Sequence, residues 1–159
     1  METKQITIKY SEYLYSELSE EDAFLITQAR IAAKTSYSPY SNFKVGAAVL
    51  LDNGNIIKGS NQENAAYPSG LCAERVCLFF TNANYPDNIV KTIAITAFNN
   101  NNLLEDVITP CGACRQVILE TENRYNSKCR ILLDSKNKIL EFQSIKDLLP
   151  FSFGEKSLK

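Results

Sequence analysis

Apolar positions recur along this chain with two periods, and the changes from one to the other mark out its elements. Leu25, Ala29, Ala32 and Ala33 fall at helical spacing behind Ser19-Glu20-Glu21-Asp22, where a capping hydroxyl and first-turn acids favour a helix start. Ser38-Pro39 disfavours helical geometry, so that helix should stop before Ser36. Residues 43–51 read as a buried strand, 52–54 as an Asp-Asn-Gly hairpin turn and 55–60 as the returning strand. A helix opening at Cys72 is expected to turn Val76, Phe79, Phe80 and Ala83 toward the core and to end before Pro86. Residues 89–98 are a β-branched strand, and 99–102 a polar loop of four asparagines. Behind Pro110, Cys114, Val117, Ile118 and Thr121 form one helical stripe.

Two last strands, 129–134 and 139–142, are joined by four residues. A parallel crossover needs about a dozen, so this pair must run antiparallel. Residues 144–149 predict a short helix closed by Pro150, and the alternation from Ile6 to Tyr10 predicts an edge strand. Helices spread between strands imply a sheet covered on both faces. The expected fold is therefore α/β, a three-layer α/β/α sandwich with a five-stranded mixed sheet. Residues 19–159 would be one domain and 1–18 an N-terminal extension. Ligand sites in such sheets favour strand ends where helices begin, and Cys72, Cys111 and Cys114 all fall at expected helix starts.

Composition narrows the chemistry. The chain has 159 residues, 45% of them hydrophobic, 22% charged, and a formal net charge of −1. No basic surplus exists to neutralise a phosphate backbone, which argues against nucleic acid as a partner. No apolar run approaches the ~20 residues of a membrane span and the N-terminus lacks a leader pattern, so a cytoplasmic protein without membrane attachment is expected. Its five cysteines are then reduced ligands or core residues rather than disulfides. Histidine is absent. That excludes histidine-based triads, and any zinc must be held by thiolates or carboxylates.

Cys111 and Cys114, three apart at a helix N-terminus, put both sulfurs on one face, where amides and dipole favour thiolates. Alone, Cys-Gly-Ala-Cys is a redox motif or half of a structural zinc site as readily as part of a catalytic one. Cys72 alone is a core thiol, and Glu74 alone a surface residue. Together, three thiolates would hold zinc and leave its fourth tetrahedral position for water, the mark of a catalytic centre. Glu74 would move protons there, and Arg75 would offset the surplus negative charge from outside the ligand set. Cys77 and Cys129 sit inside apolar patterns and read as small core residues.

Cys-Ala-Glu at one helix start and Pro-Cys-x-x-Cys at the next is also the zinc-deaminase arrangement in its three-cysteine form. With Tyr40-Ser41-Asn42-Phe43-Lys44-Val45-Gly46-Ala47, Asn61-Gln62-Glu63-Asn64-Ala65-Ala66-Tyr67, Cys72-Ala73-Glu74-Arg75, Pro110-Cys111-Gly112-Ala113-Cys114-Arg115-Gln116-Val117 and Leu148-Leu149-Pro150, the chain closely resembles the small, homotetrameric class of cytidine deaminases from about residue 19 to 154. The resemblance implies hydrolytic deamination of cytidine and deoxycytidine, a small-molecule nucleoside chemistry of pyrimidine salvage, with one zinc per subunit on Cys72, Cys111 and Cys114 and Glu74 as proton shuttle. It implies substrate contacts from Phe43, Asn61, Glu63, Tyr67 and Ala73, with active sites completed by neighbouring subunits of a homotetramer. A C-terminal phenylalanine stacks near the base across a subunit boundary. Phe151 and Phe153 both follow Pro150, and the family's spacing favours Phe153.

Phe43 could instead be plain core, and Asn61 and Glu63 could merely shape a loop. Nucleotide and nucleic-acid deaminases usually carry histidine where Cys72 stands, and the blasticidin S type lacks the Asn-x-Glu-Asn run. A non-catalytic zinc-stabilised binding protein would give Glu74 and Arg75 no reason to accompany Cys72. Gln62, Cys77 and the 99–102 loop depart from the family's pattern without touching a ligand position.

Overall fold

Two glycines decide how the helices lie on the sheet. In the computed structural model, which describes residues 1–158, a Cβ on Gly46 would fall 2.0 Å from the Ala29 carbonyl oxygen, and one on Gly59 would fall 2.6 Å from the Cys77 amide nitrogen. Helix backbone therefore rests directly on strand backbone at both points, which only glycine permits.

The elements are β1 (Ser11–Tyr13), α1 (Glu20–Ala33), β2 (Phe43–Leu51), β3 (Ile56–Ser60), α2 (Ala73–Asn84), β4 (Val90–Asn99), β5 (Asn102–Leu103), α3 (Gly112–Tyr125), β6 (Arg130–Asp134) and β7 (Ile139–Phe142). The sheet runs β1-β7-β6-β4-β2-β3, with β5 paired to the end of β4. Among the named strands of the described residues only β4 and β6 pair in parallel, and β6 with β7 is antiparallel, as the four-residue link requires. Side chains alternate between faces along each strand. Ala48, Ala94 and Leu132 pack under Leu25, Ile26 and Ala29 of α1. Val49, Ile93, Ile95 and Ile131 pack under Cys77 and Leu78 of α2 and Ile118 of α3. Burial on both faces is why these strands read as continuous apolar runs.

The three layers and the five expected strands are present, and two short strands bring the sheet to seven. The N-terminal edge strand forms at Ser11–Tyr13, not at 6–10. It pairs with β7, and the Tyr13 hydroxyl donates to Glu141 at 2.9 Å. Ile6 and Ile8 remain exposed, because alternation alone does not say where an edge partner lies. The asparagine loop is a tight hairpin: Asn100 and Asn101 take φ of 47° and 65°, the left-handed pair a two-residue turn demands. At 52–54, by contrast, only Gly54 has positive φ. The expected helix at 144–149 shrinks to one 3-10 turn, Ile145–Asp147.

One expected core face is corrected. On α2 the buried residues are Ala73, Glu74, Cys77, Leu78 and Thr81, whereas Phe79 and Phe80 are about half exposed, 47% and 51%. The close approach at Gly59 needs the small Ala73–Cys77 side of the helix. The larger aromatics therefore face away from the sheet.

Candidate active site

Cys72 and Cys111 are the N-cap residues of α2 and α3, both extended (ψ 153° and 166°), and neither side chain is spent on capping. Extended caps turn each thiol away from its helix, and α2 and α3 pack side by side on one face of the sheet. Cys111 Sγ consequently lies 3.8 Å from Cys72 Sγ and 3.5 Å from Cys114 Sγ, and all three sulfurs fall within 4.8 Å of one another. A tetrahedral centre with zinc–sulfur bonds of about 2.3 Å spaces its sulfurs about 3.8 Å apart. The donor set fits zinc in both kind and spacing.

The electrostatics agree with that fit. The neighbouring Cys114 thiol and the Arg75 guanidinium hold the Cys72 thiol down at about 5. The Cys72 thiolate beside it, together with burial, pushes the Cys114 thiol up. Cys72 and Cys114 cannot both ionise this close together without a cation between them. Arg75 Nη2 sits 3.7 Å from Cys72 Sγ and also donates to the Gly70 carbonyl. Glu74, two residues after Cys72, is 4% exposed, and burial raises its carboxyl above the ordinary value.

These groups close one end of a cleft of about 660 Å³, within the ordinary size range of small-ligand sites. The other end is polar. Asn61 Oδ1 accepts from the Val45 amide at 2.7 Å and from the Ser36 hydroxyl, while Nδ2 donates to the Phe43 carbonyl at 2.9 Å. That leaves the amide one free N–H. Glu63 accepts from the Tyr40 amide at 2.9 Å and from the Ser41 amide and hydroxyl. These bonds, the Ser41 hydroxyl's first, hold its carboxyl below the ordinary value. One donor and one acceptor therefore face the cleft, and a single hydroxyl satisfies both.

Of the residues expected from sequence, Asn61, Glu63, Tyr67, Cys72, Glu74, Arg75 and Cys111 line this cleft, and Cys114 lies buried behind it. Tyr67 is 79% exposed and meets Tyr40 edge-on with ring centroids 6.4 Å apart. Phe43, Ala73 and Phe153 do not line the cleft of a single chain. Phe43 opens β2 half-buried and offers its carbonyl to Asn61. Ala73 is fully buried in the core, and Phe153 is exposed, its carbonyl accepting from Gln116 Nε2 at 2.9 Å. Val45, Ile108 and Thr109 also form the walls. Val45 was findable two positions after Phe43 on one strand face. Ile108 and Thr109, in the loop before Pro110, have no local signal.

A family model for the cytidine and deoxycytidylate deaminase zinc-binding region matches residues 19–126, a span holding all three thiols and Glu74. The chain belongs to this deaminase family. A cytidine deaminase of Sporosarcina psychrophila is 37% identical over 134 residues, 84% of this chain and 92% of the relative. One from Halalkalibacterium halodurans is 36% identical, over 81% and 91%. The crystal structure of the Burkholderia pseudomallei cytidine deaminase superposes with a TM-score of 0.69 at 34% identity, covering 86% of this chain and all of that one. The Mycobacterium tuberculosis enzyme gives 0.64 at 33%. Zinc is the deaminase cofactor here, one ion for the one cluster of three thiols found among the described residues. No helix among those residues is long and apolar enough to cross a membrane.

Proposed function

We propose that this protein is a cytidine deaminase: with zinc bound, it hydrolyses cytidine and deoxycytidine to uridine and deoxyuridine and releases ammonia. The observation that carries this reading is one cleft with a buried carboxyl beside three converging thiols at one end and a donor–acceptor pair for a hydroxyl at the other.

Cys72, Cys111 and Cys114 would hold the ion, which when bound would lower the pKa of a water that could then serve as nucleophile toward ring carbon 4. Glu74 takes a proton from that water and passes it to ring nitrogen 3. It then takes the proton of the hydroxyl now on carbon 4 and passes it to the amine, which leaves as ammonia while carbon 4 becomes a carbonyl. Its burial suits it to hold a proton between transfers. Asn61 donates to the ribose 3′-hydroxyl and Glu63 accepts from it, which fixes the distance from sugar to ring. Arg75 offsets the thiolate charge. Among the described residues it is the only cation in the cleft wall and it is already engaged by Cys72, so the chain offers a substrate phosphate no free cation there. That favours nucleosides over nucleotides.

In the same reading residues 19–159 are the catalytic unit, residues 1–18 an addition at the sheet edge, and the protein a cytoplasmic homotetramer in pyrimidine salvage. Exposed Phe79 and Phe80 supply an apolar face on α2, and Tyr67 and Phe153 are free to reach a neighbour's cleft. Five unpaired cysteines suit a reducing compartment.

The deciding assay measures zinc per chain and ammonia release from cytidine, deoxycytidine, deoxycytidine monophosphate and blasticidin S. Turnover of both nucleosides is expected, and activity on the monophosphate alone would overturn the substrate assignment. Light scattering should give a tetramer, and a monomer that is fully active would remove the shared-site reading.

A further inference from the structure

Arg115 stands in the first turn of α3, one residue after Cys114, where a cation opposes the helix dipole. Its side chain has other work there. Nε donates to the Pro110 carbonyl at 2.8 Å, Nη2 to the Thr109 hydroxyl at 3.0 Å and Nη1 to the Leu148 carbonyl at 2.6 Å. The first two acceptors belong to the loop that delivers Cys111, and the Pro110 carbonyl is part of the very peptide that enters it. The third comes from the segment after β7, whose Phe153 carbonyl is held by the next helix residue, Gln116. A planar guanidinium can reach three acceptors in a fixed fork, and an ammonium cannot.

We propose that Arg115 is a positioning residue for the metal centre: by clamping Thr109 and Pro110 against the last segment of the chain, it fixes where Cys111 presents its sulfur. Cys111 needs such help, because it is the most exposed of the three thiols and sits outside the helix that holds Cys114. The inference rests on the zinc-site reading above and adds the residue that keeps its exposed corner in place.

The test follows zinc release from the intact protein into excess chelator, together with the visible absorption of the cobalt(II)-substituted protein, for wild type, Arg115→Lys and Arg115→Gln. Groups that orient a metal ligand typically change affinity by about 10–100-fold. Both variants should lose zinc faster by about that factor and shift the cobalt bands. Arg115→Lys keeps the charge and serves if the glutamine variant fails to fold. Arg130→Gln is the control, since it breaks ion pairs with Asp22 and Glu141 outside the cleft and should leave release unchanged. Wild-type release and unshifted bands in both Arg115 variants would overturn the proposal, as would equally fast release from Arg130→Gln. A wild type that takes up no zinc would bring down the functional reading with it, whereas a zinc-holding wild type matched by its Arg115 variants brings down this inference alone.

Discussion

The two ends of the cleft are built in different ways. At the metal end, Cys72, Glu74, Cys111 and Cys114 sit at the starts of two packed helices, and Glu74 and Cys114 are buried. At the end proposed to take the sugar, Glu63 is half-buried, its partners Tyr40 and Ser41 lie on exposed loop, and Tyr67 stands open to solvent. Position at the first end is enforced by helix packing, and at the second by hydrogen bonds from loops and from the start of β2. Chemistry demands the stricter placement, since proton transfer needs contact within about 3 Å. Binding of a hydroxyl tolerates more adjustment, and that end stands open to solvent in the single chain, with Tyr67 79% exposed.

The largest effect should come from removing zinc. Chelation is expected to abolish turnover, and zinc to restore it, with far-UV circular dichroism unchanged because two apolar clusters hold the layers together without metal. Unfolding on chelation would make the site structural and erase the contrast. Next, Glu74→Gln should retain zinc and bind cytidine while kcat falls by about 10²–10⁴. Near-normal turnover in that variant would remove Glu74 from the chemistry.

The sugar end should yield smaller losses, of a different kind. A hydrogen bond to a charged group contributes about 1.5–3 kcal/mol, so Glu63→Ala should raise KM by about 10–100-fold with kcat moved less. A pure kcat loss would contradict the division between the ends. Ser36→Ala leaves Asn61 Oδ1 with only the Val45 amide, and a neutral bond of about 1 kcal/mol predicts roughly a fivefold rise in KM; a change in kcat alone would deny Ser36 its positioning role.

The pH response is the gentlest probe. The Glu63 carboxyl is held below its ordinary value, so its accepting form is present above that value and is lost only as pH falls through the lowered one. The ratio of wild-type to Glu63→Gln affinity for cytidine should therefore stay flat down to about pH 5. A decline beginning near neutrality would show that the carboxylate is not stabilised by Ser41 and Tyr40.

Legibility follows the same division. The metal end was readable because its signals are local: a thiol and a carboxylate two apart at a helix start, and two thiols three apart behind a proline. Asn61 and Glu63 were readable as residue types, but not as one free N–H and one open carboxylate, because Ser36, Val45 and Tyr40 come from other segments. The α2 face was misjudged since hydrophobicity ranks phenylalanine above cysteine, whereas the contact at Gly59 admits only the small side. The hairpin at Asn100-Asn101 was missed because Asn-Asn is a weaker turn signal than Asn-Gly.

Periodicity, caps and spacing are properties of neighbours along the chain, and through them the sequence alone determined the three layers, the antiparallel last pair and the four residues of the metal end. Which helix face meets the sheet, which donor of an amide stays free and how Arg115 reaches Leu148 depend on residues tens of positions apart. Those were decided by the tertiary structure, because close packing and hydrogen-bond satisfaction are settled only when distant backbones touch.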